Sequence, residues 1–133
     1  DDQMVVLEME DGSCRGVAWN MTERRSGEDF MFRLELPAGE EGCLVLQTVD
    51  EICCNPLKVW HDLGEPSSLT SQELELLKRA AQPFVETRRI TPRDSRVELA
   101  FPLRENGVVY FSWEPGQVRS DSGYTYERVM QYL

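Results

Sequence analysis

The sequence predicts a mainly β protein: an antiparallel β-sandwich with one inserted helix, about residues 70–82, and a short C-terminal helix. Three observations carry this. Short apolar runs are separated by Gly-, Pro- and Asp-containing turns at intervals of roughly 10–14 residues, the spacing of sandwiches and barrels. Phe30, Phe32, Leu34 and Leu36 alternate with Met31, Arg33 and Glu35, the period of a half-buried strand. A single capping-box signature, Thr70-Ser71-Gln72-Glu73, interrupts the strand pattern.

In order, Met4 to Met9 reads as a first strand ended by Asp11-Gly12, a turn signal. Cys14 to Met21 is the second, and Ser26 to Asp29 a polar loop. Phe30 to Leu36 is the third, closed by the turn Pro37 to Gly42, and Cys43 to Val49 the fourth. Residues 50–83 form a loop-helix insertion, with a helical turn around Leu57 to Leu63. In the helix, Leu74, Leu77, Ala80 and Ala81 give an apolar stripe, Leu69 and Leu74 stand at staple positions, and Pro83 stops it. Phe84 to Ile90 and Arg96 to Leu103 are further strands, with Val97, Leu99 and Phe101 on one face. Glu105-Asn106-Gly107 reads as a hairpin turn into Val108 to Trp113. Residues 1–116 would make the sandwich. Residues 117–133 would be a tail, helical from Tyr124 to Leu133.

The 133 residues suit one domain with one core. No apolar run approaches the roughly 18–20 residues a membrane span requires. Asp1-Asp2-Gln3 has neither the basic nor the apolar region of a leader. Net charge is −10, and it is local: residues 1–57 hold 13 acidic and 4 basic side chains. Such a surface repels phosphate backbones and anionic lipid, so neither nucleic acid nor membrane is expected as a partner.

The chemistry-bearing residues are few. Cys14, Cys43, Cys53 and Cys54 contain no C-x-x-C pair, and His61 is the sole histidine, so no metal set and no cofactor is expected. Cys14 and Cys43 could bond only on neighbouring strands. The thiols read as reduced, and a reducing compartment such as the bacterial cytoplasm is the expectation. A dyad of His61 with Cys53 or Cys54 is the weakly specified nucleophilic option. There is no phosphate loop and no G-x-S-x-G. Trp19, Trp60 and Trp113 could stack on sugars, although Trp19 and Trp113 fall within predicted strands and read as core.

One stretch narrows the reading. Asp50-Glu51-Ile52-Cys53-Cys54-Asn55-Pro56, then Trp60, Gly64-Glu65-Pro66, Leu69-Thr70 and the helix from Glu73 to Ala81 resemble the segment after the catalytic barrel in glycoside hydrolase family 39, the β-xylosidases and α-L-iduronidases. Gly16-Val17-Ala18-Trp19-Asn20 resembles an early sandwich strand of that family, and Leu34-Glu35-Leu36-Pro37-Ala38-Gly39 its strand and turn. The resemblance covers about residues 14–114. It departs where the family's β-xylosidases usually carry His and this chain has Cys53. A cysteine partner for Cys54 is also missing from Tyr110-Phe111-Ser112-Trp113, so no bridge is expected there.

The resemblance implies a retaining, β-xylosidase-like parent whose catalytic glutamates lie on a (β/α)8 barrel of roughly 250 residues. No catalytic residue transfers to this chain. It would be a non-catalytic accessory sandwich packed on that barrel, with Asp50, Asn55, Trp60 and Tyr110 as candidate barrel-facing or sugar-contacting residues. The alternatives are a carbohydrate-binding module taking xylo-oligosaccharide through exposed aromatics, and the structural part of a sugar-sensing regulator. The family sandwich borrows a strand from the extreme N-terminus of the full chain, so the resemblance implies an unpaired edge here and an edge-strand dimer of the isolated piece.

Overall fold

The computed structural model describes residues 3–21 and 27–117. Along the chain run β1 (Met4–Glu8), β2 (Cys14–Asn20), β3 (Phe30–Pro37) and β4 (Gly42–Val49), then α1 (Pro56–Asp62) and α2 (Ser71–Ala80). β5 (Phe84–Ile90), β6 (Arg96–Leu103) and β7 (Gly107–Pro115) follow. All pairings are antiparallel. One sheet has the order β1-β2-β7-β4-β5, and β3 pairs with β6 in a second, two-stranded sheet. The mainly β sandwich expected from the alternation is what forms. The expected terminal helix over Tyr124 to Leu133 lies outside the described residues.

Alternate side chains of each strand meet in the core, as strand geometry requires. Cys14 and Ala18 of β2, Leu44 and Leu46 of β4, and Val109, Phe111 and Trp113 of β7 are buried. Phe32 and Leu36 of β3, and Val97, Leu99, Phe101 and Leu103 of β6, are buried from the other sheet. The layers join where the rings of Phe101 and Phe111 lie 5.4 Å apart. Gly16 stands opposite Phe111 in the register. A Cβ there would overlap that ring and lie 2.7 Å from the Val5 carbonyl oxygen, so only glycine lets the ring lie on its neighbour strand.

The Asn106-Gly107 turn differs from its sequence reading. It does not close a hairpin: β6 belongs to the small sheet, and β7 pairs with β2 and β4 in the large one. The chain arches from one layer to the other. Asn106 takes the left-handed conformation, φ 58°, which asparagine tolerates. Gly107, whose Cβ would come 2.8 Å from the Arg104 carbonyl oxygen, opens β7. Asn20 fastens the arch. Its buried side-chain amide donates to the Leu103 carbonyl at 3.0 Å, and its own carbonyl accepts from the Asn106 amide at 2.6 Å.

The insertion holds the expected helix, α2, and a second one that the sequence had marked only as a helical turn. Asn55 caps α1 by accepting from the Lys58 amide, with Pro56 in the first turn. Thr70 and Glu73 form the capping box reciprocally, at 2.9 and 3.1 Å. Neither helix contains a fully buried residue, so the apolar stripe of α2 stays half-exposed. No helix among the described residues is long and apolar enough to cross a membrane.

Candidate functional site

The end of β4 leads into a tight loop organised by Asp50. Its side chain is 3% exposed. One carboxylate oxygen accepts from the amides of Ile52 and Cys53, at 2.8 and 2.6 Å. The other meets Arg104 Nη1 at 3.2 Å. Burial alone would raise the Asp50 carboxyl, but those two amides and the guanidinium outweigh it and hold the pKa below the ordinary carboxylate value. Asn55 closes the same loop, donating to the Glu51 carbonyl at 2.8 Å. Both residues are therefore spent on backbone geometry.

Trp60 and Tyr110 do not join them. Trp60, on α1, is half-buried, donates its indole N–H to the Pro66 carbonyl at 3.1 Å and stacks on His61. His61 Nδ1 lies 2.6 Å from Glu65 Oε1. The Cys54 thiol donates to the Ala81 carbonyl, and Arg104 Nη1 stands 4.0 Å from Cys53 Sγ. The thiol and imidazole thus have separate partners, and the cysteine–histidine dyad does not form. Cys14 and Cys43 cannot bond either. β7 lies between their strands, and Cys14 points inward whereas Cys43 is on the other face. Beside the loop is an open cleft of about 340 Å³ with Asp50, Glu86, Phe84 and Arg104 in its wall. Among the described residues no group of His, Cys, Asp and Glu is placed to hold a metal ion.

Tyr110 belongs to the feature that sequence reasoning missed. It sits on the outer face of the five-stranded sheet, where the register aligns Val5, Val17, Tyr110, Gln47 and Val85 across all five strands. On one side of this row lie Trp19, Val108 and Val49. On the other lie Leu7, Arg15, Ser112, Val45 and Thr87. Val5, Leu7 and Val85 are 57%, 62% and 56% exposed, and Tyr110 is 37% exposed. The charges on this face, Arg15, Glu114 and Arg89, are confined to the end where β4 begins. Trp19, expected in the core, is half-exposed on it. The signal was present in Val17-Ala18-Trp19 and Val108-Val109-Tyr110, which are apolar on both parities.

Among the described residues the arrangement is an exposed apolar face and a braced loop, and the cysteine thiols and the imidazole keep separate partners. Comparison with known proteins agrees with this architecture. The model of glycosyl hydrolases family 39 matches residues 12–98. The chain belongs to that family. This family-39 chain is 31% identical over 124 residues to a β-xylosidase of Geobacillus stearothermophilus, covering 92% of itself and 24% of that relative. It superposes on a family-39 enzyme from Xanthomonas axonopodis pv. citri with a TM-score of 0.72 and 21% identity, over 87% of this chain and 26% of that one. A monomeric β-xylosidase from Caulobacter crescentus CB15 gives a TM-score of 0.67 and 19% identity, over 88% and 27%. The chain thus spans about a quarter of the length of these relatives.

Proposed function

We propose that this chain is a non-catalytic accessory sandwich of a family-39 glycosidase, and that the outer face of its five-stranded sheet packs against the catalytic barrel of the same parent chain. The observation carrying this is that face: an antiparallel sheet in water turns polar side chains outward, and this one turns out Val5, Leu7, Val17, Trp19, Val85 and Tyr110. Its relatives are about four times longer, which is consistent with a larger parent chain that could cover this face. The parent reaction, by likeness to the β-xylosidases, is hydrolysis of a glycosidic bond. The unbridged thiols support a reducing compartment, the bacterial cytoplasm.

Two measurements test this. The 133-residue chain should not release nitrophenol from 4-nitrophenyl β-xyloside above the buffer rate, and release by this chain would overturn the non-catalytic reading. Val17→Thr and Tyr110→Thr together keep strand-forming, uncharged side chains at this directly opposed pair and should lower the melting of the isolated chain only slightly. In the parent enzyme they should lower it further and admit protease between sandwich and barrel. Equal melting of parent and variant would refute docking through this face.

A further inference from the structure

We draw no further inference here: the strongest candidate, the open cleft between the Asp50 loop and β5 with Phe84, Glu86 and Arg104 in its wall, belongs to the site already described, where the Asp50–Arg104 pair braces the loop, and nothing in the structure shows what covers it.

Discussion

Replacing Asp50 by alanine should be among the most damaging single changes outside the hydrophobic core. The side chain is 3% exposed and serves three donors: the amides of Ile52 and Cys53 and the guanidinium of Arg104. Removing an acceptor strands a part-buried donor at about 1–3 kcal/mol. Arg104 is half-exposed, and its share shrinks accordingly. Together the loss comes to about 2–4 kcal/mol, or roughly 10 °C in melting temperature for a domain of this size. Asp50→Asn keeps one amide acceptor and loses the charge, so it should cost about 1–2 kcal/mol. The pH dependence distinguishes the two contributions. The folded-state pKa is depressed, so the stabilisation is complete above the unfolded value of about 3.9 and is lost as pH falls through the lower folded value. Urea titrations at pH 7 should therefore separate wild type from Asp50→Asn, and the gap should close in acid below about pH 4. A gap that widens in acid would sink this reasoning. So would an alanine variant within about 0.5 kcal/mol of wild type at neutral pH.

Three further outcomes follow from the same structure. Gly16→Ala should destabilise by about 1–3 kcal/mol, because its methyl group would overlap Phe111 and the Val5 carbonyl; thermal melting reads this, and Phe111→Leu in the same chain should relieve part of it. Asn20→Leu should cost about 1–3 kcal/mol by leaving the Leu103 carbonyl without its donor. The loss should appear as faster amide exchange at the 103–107 arch. With a thiol reagent at neutral pH, Cys14 should react last of the four cysteines, since burial raises its pKa and Glu8 adds to the effect against the opposing Trp113 backbone bond. Modification of Cys14 at the rate of Cys53 in native buffer would contradict its placement in the core.

Local patterns in the sequence predicted the strands and the capping box well because one segment decides each. Phe32 and Leu36 alternate with polar neighbours wherever the strand goes, and Thr70 and Glu73 satisfy each other within one turn. The β6–β7 arch was not legible for the complementary reason. Asn106-Gly107 says that the chain reverses, but the sheet that receives it is chosen by pairing of β7 with β2 and β4, tens of residues away. Asp50 could be singled out by resemblance, yet its bracing role depends on Arg104, 54 residues distant. Tyr110 stands exposed, whereas Trp19, which the sequence reads as core, is half-exposed. Both stand on strands apolar on two parities, and period alone cannot assign which parity meets the other sheet.

The five-over-two layering ties these surfaces together. A two-stranded sheet can cover only part of a five-stranded one, so the side of β5 that turns toward β6 carries Glu86 and Arg88 as well as Phe84 and Ile90. Had the large sheet been built for solvent on its remaining face, the charges of this chain, −10 in sum, would be spread over it. Among the described residues this face instead carries three charges, Arg15, Glu114 and Arg89, all toward one end, and its centre is left to Val17, Tyr110, Val5 and Val85. A patch of this kind is costly to expose unless something covers it.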